Sequence, residues 1–233
     1  MRLSELFYSI QGEGKLAGVP SVFVRASGCN LRCTWCDTPY ASWYPEGDDV
    51  SVGEIVDRSL AFSADHVVLT GGEPMIMPEI VELAEAFRAR GKHITVETAG
   101  TMYKAMPIDL ASLSPKLSNS TPVDREGGRF VQIHESQRRR PDVLQAFIDQ
   151  SREQAADFQL KFVVSDETDL REIDLLLASL KGWKNSDVLL MPEGVSVEAL
   201  RAKTGWVGAL CKTRGFRFAP RLHVELYGNA RGT

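Results

Sequence analysis

The sequence predicts an α/β fold built as a partial (β/α) TIM-like barrel, and three observations carry that prediction. Short apolar runs that read as strands alternate with longer segments of helical periodicity along most of the 233 residues. Repeated strand and helix units pair their strands in parallel through right-handed crossovers, and roughly six such units suit an open barrel. Third, the polar and glycine-rich clusters each follow directly on a predicted strand. In a parallel barrel those are the C-terminal strand ends, the rim on which sites are built.

Taken in order, Leu3 to Ile10 has a loose apolar alternation and is read as the first strand. It runs into Gln11-Gly12-Glu13-Gly14, whose glycines permit a tight turn or the close approach of a ligand. Val19 to Ser27 is the next strand, with Arg25 interrupting its apolar run as either a barrel-lining ligand contact or a paired structural charge. Ser51-Val52-Gly53-Glu54 fits a capping box, and Ile55, Val56 and Leu60 extend it as a helix to about Phe62. His66 to Thr70 is a short buried strand, closed by Gly71-Gly72-Glu73-Pro74. Pro78 near a helix start, Ile80, Val81, Leu83, Ala84 and Phe87 on one face, and Gly91 beyond the end define the next helix.

Ile94 to Val96 is a strand running into Glu97-Thr98-Ala99-Gly100, and Asp109 to Leu113 is a weaker one ending in Ser114-Pro115-Lys116. Residues 117–141, rich in polar residues, glycine and arginine, read as an irregular excursion. Beyond it come a helix from Asp142 to Arg152, a strand from Leu160 to Val164, a helix from Leu170 to Leu180, a strand from Val188 to Leu190 and a helix from Val197 to Cys211. Glu97 and Lys161 face inward in these registers, as a buried ion pair or as catalytic groups. No repeat or low-complexity stretch divides the chain, so residues 1–233 read as a single domain.

Composition narrows the function classes. A hydrophobic content of 43% provides for a sizeable core. The 27 basic against 31 acidic residues give a net charge of −4, which argues against broad attraction to nucleic acid or to an anionic membrane. Arg138-Arg139-Arg140 carries no interleaved aromatics for base stacking and reads as a solvated loop. Glu5 breaks the apolar core that a signal peptide needs, and no run approaches the ~20 apolar residues of a membrane span, so a cytoplasmic chain is expected.

Three of the four cysteines, Cys29, Cys33 and Cys36, lie in the loop after the second strand with spacing C-x3-C-x2-C. In a reducing compartment clustered thiols point to metal or redox chemistry and away from disulfides. Three thiolates with no nearby histidine leave one coordination position open, which suits an iron–sulfur cluster better than a closed zinc site. The other readings of the loop are a zinc site completed by His66 or His93, or a Cys33/Cys36 dithiol. Cys211, on an apolar helix, reads as a buried small hydrophobe.

Cys29-x3-Cys33-x2-Cys36 followed by Asp37-Thr38, with Gly71-Gly72-Glu73-Pro74 downstream, resembles the radical S-adenosylmethionine (SAM) superfamily. With Phe7-Tyr8-Ser9-Ile10-Gln11-Gly12-Glu13-Gly14, the resemblance narrows to the 7-carboxy-7-deazaguanine synthase family and runs from about Leu6 to the C-terminus. It implies a barrel of the radical SAM type. It also implies a [4Fe-4S] cluster on Cys29, Cys33 and Cys36, with SAM on the free iron. Gly72 would then meet the amino group of SAM, and Ser114, Pro115, Lys116, Met191, Pro192 and Glu193 would line its pocket. Ile10, Gln11, Gly12, Arg25 and Thr70 match positions that bind a pterin and its carboxylate, and Thr38 matches a Mg2+-contacting threonine.

The activity implied is conversion of 6-carboxy-5,6,7,8-tetrahydropterin to 7-carboxy-7-deazaguanine with loss of ammonia, by a lyase of queuosine and 7-deazapurine biosynthesis. A homodimer and an electron donor such as flavodoxin or ferredoxin are implied as well. The alternatives are a glycyl-radical-enzyme activating enzyme, which shares the cysteine spacing, and a zinc-stabilised binding protein. The tail from His223 to Thr233 departs from shorter members of the family, which leaves the family's C-terminal contacts without a direct counterpart.

Overall fold

A computed structural model describes all 233 residues. Nine strands form one open sheet: β1 (Arg2–Ile10), β2 (Pro20–Ala26), β3 (Asp48–Asp49), β4 (His66–Gly71), β5 (His93–Thr98), β6 (Leu110–Leu113), β7 (Asp157–Val164), β8 (Val188–Pro192) and β9 (Arg217–Phe218). Their order is β3-β1-β2-β4-β5-β6-β7-β8-β9, parallel from β2 onward, and the edges β3 and β9 do not pair. The expected partial barrel is therefore present, with one difference at its start. Strand β1 runs antiparallel to β2, because the nine residues between them are fewer than the dozen or so a parallel crossover needs.

Strand alternation decides what faces each side. Leu69, Val96, Leu160, Phe162, Val164 and Leu190 turn outward into the main core against the helices. The residues between them, among them Thr70, Glu97 and Lys161, face the barrel interior and line its cavity. The helices supply the outer layer: α1 (Pro39–Ser42), α2 (Val52–Leu60), α3 (Ile80–Arg88), α4 (Val131–Arg138), α5 (Pro141–Glu153), α6 (Asp169–Ala178), α7 (Val197–Arg214) and α8 (Leu222–Tyr227). At the start of α2 the Ser51 hydroxyl accepts from the Glu54 amide at 3.2 Å, as the capping pattern predicts. Helix α7 runs three residues past its predicted end, to a left-handed Gly215. Cys211 is buried in the core.

The segment expected to be irregular, 117–141, contains helix α4, and its last residue, Pro141, is the first of α5. Helix α4 escapes an apolar-periodicity search because the residues it buries, His134 and Arg138, are polar and four apart on one face. Arg138 is accordingly not part of a solvated loop: its guanidinium is buried between Glu135 and Glu172. Arg139 is exposed, and Arg140 pairs with Asp142.

Candidate active site

One cavity of about 300 Å³ opens at the C-terminal ends of the strands. Its first wall is the loop carrying Cys29, Cys33 and Cys36, three free thiols that all face the cavity. Glycine is required at position 72, because any Cβ there would overlap the carbonyl oxygens of Gly28 and Ala41. The Glu73 amide donates to the Gly28 carbonyl at 2.9 Å, tying the Gly-Gly-Glu-Pro loop to the root of the cysteine loop. The Glu73 side chain, fully buried, accepts from the Thr98 hydroxyl at 2.7 Å and the Ala99 amide at 2.9 Å. Burial raises the Glu73 carboxyl, and these donors oppose the shift.

The segment containing α4 clamps the cysteine loop from outside. The Arg32 amide donates to His134 Nδ1 at 3.1 Å, and the Thr34 amide to the Ser120 carbonyl at 2.8 Å. Trp35 Nε1 donates to the Asn119 carbonyl and Trp43 Nε1 to the Cys33 carbonyl, each at 3.0 Å. Because His134 Nδ1 accepts, Nε2 carries the proton toward Ser120 Oγ, 2.9 Å away. Burial holds His134 down to about 4.

A cluster fits this wall by its donor chemistry. Burial pushes the Cys33 thiol up to about 12 and raises Cys29 as well, so the bare pocket favours neutral thiols and a positive metal centre is what would turn them into thiolates. No three His, Cys, Asp or Glu side chains converge on a single-ion site. In a [4Fe-4S] cluster each thiolate takes a different iron, so the sulfurs stand around a wall and do not close on a point. His66 and His93 open β4 and β5 at the opposite end of the parallel strands, which removes them as completing zinc ligands. Thr38 lines the cavity with its hydroxyl 3.8 Å from Cys36 Sγ, and it makes no capping bond to α1.

A second wall is charged. Glu97 accepts from Gln11 Nε2 at 3.1 Å and from the Thr70 hydroxyl at 3.0 Å. Arg25 donates through Nε to Glu5 at 2.7 Å. Glu13 pairs with Lys161 and, at 3.0 Å, with Arg221, which also pairs with Asp37 and donates to the Gly194 carbonyl at 2.5 Å. Burial by itself would raise the Glu13 carboxyl, but the Lys161 ammonium and the Arg221 guanidinium outweigh it and hold it well below the usual carboxylate range. Burial would likewise lower Lys161, and Glu13 with Glu97 reverses that and raises it. Burial lowers His223, which lies against Gly12 where any Cβ would overlap its ring.

Of the residues singled out in the sequence, Ile10, Gln11, Gly12, Arg25, Cys29, Cys33, Cys36, Thr38, Thr70, Gly72, Ser114, Lys116 and Met191 all line this one cavity. Pro115, Pro192 and Glu193 do not; Glu193 pairs instead with Lys203 at 2.6 Å. Lys116 donates to the Ser114 hydroxyl and carbonyl, both at 2.8 Å. The Ser165-Asp166-Glu167 cluster follows β7 yet stays outside the cavity, its amides capped by Asp169. Six charged or titratable residues of the cavity escaped the sequence reading: Glu13, Asp37, Tyr40, Arg221, His223 and Arg231. Glu13 and Asp37 sat inside recognised motifs but were not given roles. Arg221's only trace is a charge between apolar neighbours after Pro220. The C-terminal residues 229–233 also line the cavity.

Comparison with known proteins agrees with this geometry. Residues 23–118 match the family model described as the Radical SAM superfamily. A 7-carboxy-7-deazaguanine synthase of Halobacterium salinarum is 46% identical, over 99% of this chain and 92% of the relative. A second, from Rhodopirellula baltica, is 44% identical over 99% of this chain and 88% of the relative. The crystal structure of QueE from Escherichia coli superposes with a TM-score of 0.69 at 26% identity, covering 95% of this chain and 94% of that one. With two such synthases 46% and 44% identical over 99% of its length, the chain belongs to the 7-carboxy-7-deazaguanine synthase family of radical SAM enzymes.

Proposed function

We infer that this chain is a radical SAM lyase that converts 6-carboxy-5,6,7,8-tetrahydropterin to 7-carboxy-7-deazaguanine with loss of ammonia. The observation that carries the reading is one cavity lined both by three free thiols and by an arginine whose terminal amino groups bond to no protein atom. When bound at Cys29, Cys33 and Cys36, a [4Fe-4S] cluster with SAM supplies a 5′-deoxyadenosyl radical on one-electron reduction. Gly72, Ser114, Lys116 and Met191 form the part of the cavity that takes the SAM. A guanidinium presents paired donors to a carboxylate, which assigns Arg25 to the acid group of the pterin. Glu97, held by Gln11 and Thr70, offers acceptor oxygens to the pterin's N–H groups.

The buried pairing of Glu13 with Lys161 and Arg221 braces this wall. Thr38 offers a hard oxygen to a Mg2+ ion beside the substrate carboxylate. Flavodoxin or ferredoxin is the proposed electron donor, and the enzyme acts as a cytoplasmic homodimer. The test is anaerobic: iron and sulfide reconstitution, then reductant, SAM and carboxytetrahydropterin, with 5′-deoxyadenosine and deazaguanine both quantified. Both products are expected. Deoxyadenosine without deazaguanine would reject the substrate, and a protein that takes up no cluster would reject the chemistry.

A further inference from the structure

Glu5 and Arg25 are direct partners across the antiparallel ladder of β1 and β2, so their side chains share one face. That pairing depends on a bulge. Leu3 pairs with Ala26, and an unbroken ladder would then set Ser4 opposite Arg25; the extra residue in β1 sets Glu5 there instead. The Glu5 carboxylate is 9% exposed and fully engaged. One oxygen accepts from Arg25 Nε at 2.7 Å and from the Tyr40 hydroxyl at 2.9 Å, and the other accepts from Arg231 Nε at 2.9 Å. Arg231, in the C-terminal tail, is anchored further by Glu46 at 2.9 Å and lies over the Tyr40 ring at 4.1 Å.

A guanidinium can receive a carboxylate in two ways, side-on through Nε and one amino group or end-on through both amino groups. Glu5 occupies the side-on position. The Phe7 ring, 5.5 Å from the Arg25 guanidinium carbon, restrains it further; Arg25 lines the cavity, and its two terminal amino groups have no protein partner.

We propose that Glu5 is a positioning residue which blocks the side-on approach to Arg25 and compels a carboxylate-bearing substrate to bind end-on, with Arg231 of the tail locking Glu5 in that role. The proposal rests on the reading of Arg25 as the carboxylate receptor. It assigns selectivity for an acidic substituent to a residue that does not itself touch the substrate.

The test uses the reconstituted full chain and two ligands, 6-carboxypterin and its neutral carboxamide, with binding followed by pterin fluorescence so that no radical chemistry is needed. Loss of one charge-assisted bond predicts that Glu5→Gln weakens carboxypterin binding and raises KM for the carboxytetrahydropterin by about tenfold, with kcat and cluster absorption within about threefold of wild type. Preference for carboxylate over carboxamide should fall by a similar factor, a readout that a merely structural role would not move. Arg231→Ala, which leaves the Glu5 to Arg25 contact in place, is expected to shift the same preference by about threefold. Unchanged preference in Glu5→Gln, or parallel loss of kcat and cluster, overturns the role of Glu5 alone. A wild-type protein that binds neither pterin overturns the receptor assignment to Arg25 and this role with it.

Discussion

The two walls of the cavity are held by different forces. The cysteine wall is held through its backbone: main-chain amides of Arg32 and Thr34 and the ring N–H groups of Trp35 and Trp43 are satisfied by His134, Ser120, Asn119 and Cys33, and the Arg32 and Arg125 guanidinium groups donate to the Cys29, Leu31 and Thr34 carbonyls. The charged wall sets Glu5 and Glu13 against Arg25, Lys161, Arg221 and Arg231, and Arg221 reaches Asp37 of the cysteine loop. A loop that must accept a metal cluster needs a backbone fixed in place. A wall that must orient a small anionic molecule needs pre-aimed charge. The cysteine wall should therefore respond to substitution through cluster content, and the charged wall through stability and substrate affinity.

The largest effect expected is on the cysteine wall. Cys33→Ala removes one of the three proposed ligands, and reconstituted protein should lose its cluster absorption and form neither deoxyadenosine nor deazaguanine. Retention of full absorption would dissociate the cysteine triad from the cluster.

Next comes the core of the charged wall. Glu13→Gln leaves Lys161 and Arg221 facing each other without their shared carboxylate, and breaking a buried pair from one side costs about 3–5 kcal/mol. Chemical denaturation should reveal that loss, and a change below about 1 kcal/mol, the range of a surface pair, would show that the array is solvated.

A smaller effect follows from pH, and it separates the walls again. His134 is held to about 4 in the folded chain, below its ordinary value near 6.5, so the unfolded chain takes up a proton between those values that the folded chain refuses. Stability is intact above about pH 6.5 and falls as pH drops toward 4, by about 2 kcal/mol at pH 5 for this histidine. Calorimetric melting of the cluster-free protein at pH 7.5 and 5.0 measures it, with His134→Gln as the comparison because His66 and His223 are lowered too. An equal pH dependence in wild type and variant would remove His134 as its source.

The smallest effect concerns Thr38, which makes no capping bond. Thr38→Val is expected to leave folding and cluster content unchanged while weakening any activation by added Mg2+, so a variant that responds to Mg2+ like the wild type would free this hydroxyl from the assigned role.

The barrel and the cysteine wall were legible along the chain because both depend on near neighbours. The short apolar runs at Val67 to Thr70 and Leu160 to Val164, and three thiols within eight positions, are local signals. The antiparallel start of the sheet was missed because the strands were read by their pattern and not by the nine-residue connection between them, which is too short for a parallel crossover. Helix α4 was missed because it buries His134 and Arg138 where a sequence search counts apolar residues.

The sequence by itself determined the alternation of strand and helix, the thiol spacing, and the rim on which the polar clusters collect, since each is set by residues a few positions apart. Only the tertiary structure decided the partners of those clusters. Glu13 meets Arg221 from 208 positions away, the tail returns to place Arg231 on Glu5, and a single bulge in β1 determines whether Ser4 or Glu5 faces Arg25. Charges attract without sequence register, so their pairing follows from where the packed barrel brings the backbone.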